Sequence, residues 1–138
     1  MTILDTNVVS ALMQDPPEPR IISWLDGQAR TSIWTTSVTI LEIQSGLQIM
    51  PAGKRQVALS QVFERILDSI DHRIAVFDEQ AARLAANLTA FRRKKGQVGE
   101  LRDTMIAGIV LSHRASLATR NVTHFADIQA TIVNPWVT

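Results

Sequence analysis

The chain has 138 residues and a mass of 15.3 kDa, and its 14 Lys and Arg side chains nearly balance 13 Asp and Glu side chains, which gives a formal charge of +1 at pH 7. This length predicts one domain, and a hydrophobic content of 46% excludes an intrinsically disordered chain. The absence of cysteine excludes disulfide scaffolds, thiolate zinc sites and Cys nucleophiles.

Short strand-like runs alternate with longer stretches of helical periodicity along the chain. Ser37 is expected to cap the third helix and Asp78 the fifth. In chain order, the pattern predicts a strand at 2–4, helices at 6–13 and 19–28, a strand at 31–35, helices at 37–50 and 54–69, a strand at 73–77, helices at 78–95 and 101–113, a strand at 116–119, a helical turn around His124 and a strand at 131–133.

This alternation predicts a single three-layer α/β domain over residues 1–138, built around a mostly parallel central sheet. Ligands of such sheets bind beyond the carboxyl ends of the strands, so polar residues that follow strands are the first candidates for a site. The chain contains no apolar run of the roughly 18 residues that a membrane span needs, and its start lacks the features of a secretory signal. We therefore expect a cytoplasmic protein with no membrane contact.

Two acidic residues lie where this edge of the sheet is expected. Asp5 directly follows the first strand, where a carboxylate can equally well be the N-cap of the next helix. Glu42 is the only charged residue between Arg30 and Lys54, in a helix that is apolar around most of its circumference. A carboxylate in such surroundings needs an ion pair with a distant Arg or Lys, a proton or a metal ion.

Two further candidates belong to the second half of the chain. Asp103 begins a helix and shares a face with the apolar residues Ile106 and Val110, although an acid at a helix start also interacts favourably with the helix dipole. Asn121 follows a strand, where Asn is also a common turn residue. If all four side chains meet, the carboxylates repel one another unless a cation neutralises them. Oxygen ligands favour Mg²⁺ or Mn²⁺, and hence metal-assisted phosphoryl chemistry.

Four short motifs occur in order along the chain: Asp5-Thr6-Asn7, Thr39-x-x-Glu42, Asp103-x-x-Ile106-Ala107 and Thr119-Arg120-Asn121-Val122-x-x-Phe125. This ordered set resembles the PIN domain, and more narrowly the VapC and FitB toxins of bacterial toxin–antitoxin pairs. The closing segment Asn134-Pro135-Trp136 is similar to the FitB-like branch.

The resemblance implies a metal-dependent ribonuclease with Asp5, Glu42, Asp103 and Asn121 in the catalytic site. Asp5 and Asp103 would be the metal ligands, and Thr6 and Arg120 the substrate contacts. Asn121 stands where many family members carry a fourth acid, and a neutral amide offers one oxygen but no charge. The partners implied are an RNA substrate, a cognate antitoxin that blocks the acidic groove, operator DNA reached through that antitoxin, and a second copy of the chain in a homodimer or higher assembly.

Two other functions remain open at this stage. A catalytically weak or silent PIN-like module would bind antitoxin or nucleic acid without cleaving RNA, and Asn121 favours this reading. A phosphatase or receiver-like domain would use Asp5 as a covalent nucleophile, but Asn7 occupies the place of its second acid.

The basic and histidine residues near the candidate site give weaker signals. The basic run Arg92–Lys95 is expected to complement the dipole at the end of its helix, in preference to RNA contact. His124 lies near Asn121 with no evident partner in the sequence.

Overall fold

The computed structural model of the chain describes residues 1–137. In that range the strands are β1 (Thr2–Leu4), β2 (Ile33–Thr36), β3 (Ile74–Ala75), β4 (Ser116–Ala118) and β5 (Ile132–Val133). The helices are α1 (Thr6–Leu12), α2 (Pro19–Asp26), α3 (Ser37–Ile49), α4 (Lys54–Ser69), α5 (Glu79–Lys94) and α6 (Leu101–His113), with short 3₁₀ turns at Arg30–Ser32 and Val122–Phe125.

The five strands form one parallel sheet in the order β3-β2-β1-β4-β5. In β1, Thr2 pairs with Ile33 on one side and with Ser116 on the other, so this first strand lies at the centre of the sheet. The chain moves outward from β1 through β2 to β3, and then returns to the other side of β1 as β4. The crevice where the strand order reverses therefore lies between the carboxyl ends of β1 and β4, where parallel sheets bind their ligands.

Helices cover both faces of the sheet, and the predicted three-layer α/β architecture is confirmed. One core cluster joins the apolar faces of α1 to α4, with Val8, Ile21 and Phe63 fully buried. The other joins α5 and α6 to the sheet, with Ile109 and Phe125 fully buried. Packing in these two cores holds in place the strands and helices that carry the candidate site residues.

The third helix begins one residue earlier than a Ser37 cap would require, so that prediction was wrong. Thr36 has an extended backbone, and its Oγ1 accepts a hydrogen bond from the Thr39 amide at 3.0 Å. Ser37 is already helical, and its hydroxyl accepts a hydrogen bond from the Phe77 amide. The Asp78 cap of α5 is confirmed, because its Oδ1 accepts a hydrogen bond from the Ala81 amide.

The bounds of four strands also differ from the predicted ones, and β4 ends at Ala118 instead of residue 119. Residues 30–32 form a 3₁₀ turn, closed by the Ser32 hydroxyl on the Ala29 carbonyl, so β2 starts at Ile33 instead of residue 31. The third strand shrinks to Ile74–Ala75, since the chain turns directly after it where the Asp78 amide contacts the Val76 carbonyl. The last strand begins at Ile132. Such ends depend on hydrogen bonds that periodicity does not reveal.

The two helices on one face, α5 and α6, pack closely because Gly108 has no side chain. A Cβ at this position would collide with the Ala81 carbonyl oxygen and crowd the Ala85 side chain.

Among the helices of residues 1–137, we find none that combines the length and hydropathy of a membrane span.

Candidate functional site

A cavity of about 400 Å³ opens at the crevice between β1 and β4. Residues from five separate parts of the chain line it, and they include all four candidate catalytic side chains. These are Asp5 after β1, Glu42 on α3, Asp103 on α6 and Asn121 after β4, with Thr6, Arg120 and Trp136 around them. The fold thus brings together every site residue named from the sequence.

Asp5 is buried at the floor of this cavity, with only 3% of its surface exposed. Its Oδ1 accepts a hydrogen bond from the Thr6 amide at 2.8 Å, so the residue is also the N-cap of α1. Its Oδ2 accepts a hydrogen bond from the Thr119 hydroxyl at 2.7 Å and lies 3.4 Å from the side-chain nitrogen Nδ2 of Asn7. The two readings of Asp5, as helix cap and as site residue, are compatible.

The pKa of Asp5 is raised to about 6. Burial is the main cause, and the negative charges of Asp103 and Glu42 raise the pKa further. The hydrogen bonds from Thr119 and Thr6 act in the opposite direction but do not cancel the burial. Without a cation, this carboxylate is therefore held in surroundings that disfavour its charge.

Glu42 lies at the junction of this cavity and a larger groove. Its Oε1 accepts a hydrogen bond from the Thr6 hydroxyl at 3.1 Å, and that hydroxyl also contacts Thr39 Oγ1 at 3.0 Å. Its Oε2 lies 3.7 Å from Arg102 Nη1, which is the distant cationic partner that one reading of the sequence required. Burial raises the pKa of Glu42, while Thr6 and then Arg102 lower it and the charges of Glu100 and Asp103 add to the rise.

Asp103 enters the cavity from the first turn of α6, beside the buried residues Ile106 and Val110. Its side chain is 19% exposed, and its Oδ2 lies 2.9 Å from His124 Nδ1. Glu100 caps the helix, since its carboxylate accepts a hydrogen bond from the Asp103 amide. Asp103 thus combines a fixed backbone with a carboxylate that faces the cavity.

The segment after β4 forms the opposite wall. The Asn121 amide donates a hydrogen bond to Thr119 Oγ1, and the Arg120 amide donates one to Asn7 Oδ1, so this corner is tied to the start of α1. The Arg120 guanidinium lies over the Trp136 ring, 5.1 Å from its centroid. This cation–π contact places a positive charge at the rim of an acidic cavity.

Several residues at the site were missed or misread from the sequence. His124 contacts Asp103, although the sequence showed no evident partner for it. Arg102, which contacts Glu42, was not predicted as a site residue. Arg92 was assigned to the helix dipole, but its side chain is 7% exposed and forms an ion pair with Asp127 at 2.8 Å. The apolar periodicity of α5 could have revealed this, because Arg92 falls on the buried face with Ala85 and Leu88.

A second, larger groove of about 1600 Å³ adjoins the acidic cavity, and we call it the apolar groove. Thr6 and Glu42 line both. Its walls come mainly from α1 to α4, with Arg102 from α6, and they are mainly apolar with cationic side chains at the margins. They include Leu12, Met13, Ile22, Leu25, Ile43, Gly46, Leu47, Leu59, Val62 and Ile66, with Arg55, Arg65 and Arg102.

Within residues 1–137, no three His, Asp or Glu side chains stand close enough together to enclose a metal ion. Asp5 and Asp103 line the same cavity, so a metal site formed there would have two carboxylates, with water or substrate as the remaining ligands. This arrangement suits Mg²⁺, which keeps several water ligands and usually binds proteins through one or two carboxylates.

Known proteins resemble the chain over its whole length. The PIN domain model matches residues 2–130. The VapC ribonuclease Y4jK of Sinorhizobium fredii is 34% identical over 137 residues, which cover 99% of this chain and 98% of the relative. Two solved structures superpose on this chain, each with a TM-score of 0.90 and 29% sequence identity. One is FitAcB from Neisseria gonorrhoeae, where the match covers 100% of both chains. The other is FitAB bound to the IR36 DNA fragment, where it covers 100% of this chain and 97% of the other.

Proposed function

Because this chain belongs to the PIN-domain family, we propose that it is a metal-dependent ribonuclease of the cytoplasm that acts as the toxin of a toxin–antitoxin pair. The observation that carries the proposal is the convergence of Asp5, Glu42 and Asp103 on one cavity from β1, α3 and α6. The similarity to a relative named as a VapC ribonuclease supports RNA as the substrate.

Asp5 and Asp103 would hold Mg²⁺ or Mn²⁺, with the Asn121 amide oxygen as a weaker, uncharged ligand. The raised pKa of Asp5 supports this assignment, since a bound cation would supply the positive charge that its buried surroundings lack. Because Asn121 adds no charge, we favour one tightly bound ion, with any second ion recruited together with the substrate.

Hydrolysis of an RNA phosphodiester requires an activated water and stabilisation of the phosphate charge. A divalent ion at this site would lower the pKa of that water and polarise the phosphate. Glu42 would orient the water and take its proton as the new oxygen–phosphorus bond forms, while the leaving oxygen is protonated by solvent. The raised pKa of Glu42 makes it a better proton acceptor than an exposed carboxylate.

Two arginines flank the acids and would bind the phosphates of the substrate. Arg120 is held at the rim by Trp136, and its positive charge lies close enough to Glu18, another residue of the cavity lining, to interact with that carboxyl. Arg102 is 57% exposed and only 3.7 Å from Glu42, so it could exchange that contact for a phosphate oxygen. Thr6 would contribute mainly by fixing Glu42, with its hydroxyl within reach of the substrate.

The apolar groove would receive the antitoxin. It is continuous with the acidic cavity through Thr6 and Glu42, so a segment bound along it would block the substrate site. A partner with an apolar helix face fits its lining. The similarity to FitAB bound to a DNA fragment supports a partner through which this chain is brought to DNA. We propose that this DNA is the operator of the pair and that the chain forms a homodimer or higher assembly.

The cleavage experiment is a titration of Mg²⁺ and Mn²⁺ against RNA hydrolysis by the purified chain. We expect metal-dependent cleavage that is abolished in Asp5→Asn and in Asp103→Asn, with both variants folded. Asp26→Asn is the matched control, because Asp26 is exposed at the end of α2. Cleavage by either site variant at the wild-type rate would contradict the assignment.

A catalytically silent module is the second candidate, and Asn121 is the observation that favours it. It predicts antitoxin binding with no metal-dependent cleavage by the wild-type chain. Asn121→Asp separates the candidates further, because an added carboxylate should raise cleavage only if Asn121 borders a working metal site. The phosphatase or receiver-like alternative finds no support in the family match, and failure to trap an aspartyl-phosphate on Asp5 would complete its exclusion.

The groove assignment has its own test. Gly46 lines the apolar groove, and a Cβ at this position would meet no atom within 4 Å apart from its chain neighbours and the backbone of its own helix. Gly46→Leu should fill part of the groove and weaken binding of the proposed antitoxin, taken as the product of the gene next to the one that encodes this chain. RNA cleavage should be retained. Ala86→Leu, on the exposed face of α5, is the control. Equal capture by both variants would remove the groove from the partner interface.

A further inference from the structure

His124 lies next to Asp103, on the 3₁₀ turn Val122–Phe125 that follows β4. Its Nδ1 is 2.9 Å from Asp103 Oδ2, a contact between residues 21 positions apart in the chain. An ionised carboxylate only accepts hydrogen bonds, so the imidazole is the donor in this pair. One oxygen of Asp103 is thereby held in a fixed direction.

The turn that carries His124 is anchored by buried groups. Arg92 Nη2 donates a hydrogen bond to the His124 carbonyl at 3.0 Å, and the same guanidinium pairs with Asp127 through Nε and Nη2. Its Nη1 donates to Thr104 Oγ1, on the helix that carries Asp103. Phe125, the next residue, is completely buried. Both partners of the His124–Asp103 contact are therefore tied to the same buried arginine.

A second His–Asp contact in the protein provides a comparison. His72 Nε2 lies 2.8 Å from Asp68 Oδ1, but both side chains are more than half exposed and the two residues are four positions apart. Such a contact forms wherever a helix end brings the pair together, and it contributes little. The His124–Asp103 contact differs, because it requires the assembled fold and involves a carboxylate that is only 19% exposed.

We infer that His124 is a positioning residue: it holds Asp103 Oδ2 so that Oδ1 remains available to a divalent ion in the cavity. This inference rests on the proposed function, because it assumes that Asp103 is a metal ligand. Hydrogen bonds to the ligands of a metal fix their orientation, and loss of such a bond typically lowers metal affinity about 10–100-fold. His124 itself would contact neither the ion nor the RNA.

The test measures Mn²⁺ affinity of the full chain without RNA, from the electron paramagnetic resonance signal of free Mn²⁺. We expect His124→Ala to weaken binding by about tenfold or more. His124→Asn should recover most of the affinity, because its amide can also donate to Asp103. His72→Ala is the matched control and should bind Mn²⁺ like the wild type. Urea denaturation of each variant checks that the fold is intact.

The outcomes distinguish this inference from the function on which it rests. If the wild type binds no Mn²⁺, the metal-dependent function fails and His124 loses its role with it. If the wild type binds Mn²⁺ and His124→Ala binds equally well, only the positioning role is overturned. A nitrogen coupling to bound Mn²⁺ in the wild type that disappears in His124→Ala would make His124 a direct ligand, which also overturns it.

Discussion

Replacement of Asp5 by Asn is expected to stabilise the metal-free protein at pH 7 while it removes the response to metal. The cause is the buried carboxyl, whose pKa is raised to about 6 by burial and by the charges of Asp103 and Glu42. At neutral pH the folded protein must hold this group ionised. Asn is uncharged, so the variant avoids that cost.

The size of the effect follows from the two pKa values. An unfolded Asp titrates near 3.9, so the shift is about two units, and at 1.36 kcal/mol per unit the ionised Asp5 costs about 3 kcal/mol at pH 7. Asn keeps the acceptor for the Thr6 amide, but its NH₂ group replaces the oxygen that accepts from Thr119 and faces Asn7. One or two weakened hydrogen bonds, at about 1 kcal/mol each, reduce the net gain to about 1–2 kcal/mol.

The pH dependence has a definite sign. A raised folded-state pKa means that the folded protein binds the proton more tightly than the unfolded chain does. The destabilisation is therefore absent below about pH 4, grows between about pH 4 and 6, and is complete at pH 7. The stability advantage of Asp5→Asn should accordingly disappear, or reverse, as the pH falls from 7 to 4.

The assay is urea denaturation in EDTA at pH 7 and pH 4, repeated with Mn²⁺ at pH 7. Added Mn²⁺ should stabilise the wild type by mass action and leave Asp5→Asn unchanged. Asp26→Asn serves as control and should stay within about 0.5 kcal/mol of the wild type. A metal-free Asp5→Asn protein that is less stable than the wild type at pH 7, or an advantage that does not change with pH, would refute the reasoning.

Three further predictions concern the parts of the fold that support the site. Arg92→Ala should lower the free energy of unfolding, measured in urea, by about 3 kcal/mol, because it leaves Asp127 without its ion-pair partner. Arg93→Ala, on the exposed side of α5, should change it by no more than about 0.5 kcal/mol. Equal effects of the two variants would contradict a stabilising role for the Arg92–Asp127 ion pair. Gly108→Ala should cost about 1–3 kcal/mol through its collision with the Ala81 carbonyl. Gly46→Ala, where an added Cβ meets open space, should instead raise the free energy of unfolding by up to about 1 kcal/mol in the same denaturation assay. A Gly108→Ala protein as stable as the wild type would refute the close packing of α5 on α6. Arg120→Ala, made in the Asp5→Asn background so that RNA is not cleaved, should lower RNA affinity in a fluorescence anisotropy titration. The slope of log affinity against log salt should fall by about 0.7, as expected for one lost phosphate contact to a single strand. Arg114→Ala, at the far end of α6, is the control and should leave this slope unchanged.

The order of elements and the position of the acids could be predicted from the sequence because both depend on local patterns. Periodicity identifies which face of a segment is apolar, and alternation of strands with helices leaves few parallel architectures. In such an architecture Asp5 and Asn121 must lie at the carboxyl edge, since Asp5 directly follows β1 and Asn121 comes three residues after the end of β4. The isolation of Glu42 in an apolar helix likewise marks it as a residue that needs a partner.

The identity of those partners was decided only by the tertiary structure. Arg102 on Glu42, His124 on Asp103, and Arg92 on Asp127 each join side chains from different elements, and their distances depend on how helices rotate and pack. Thr119 contacts Asp5 across 114 positions of chain, beyond the reach of any local pattern. The sequence therefore specifies which groups carry charge and which faces are buried, whereas the packing of two cores on one sheet decides which charges meet and how far their pKa values move.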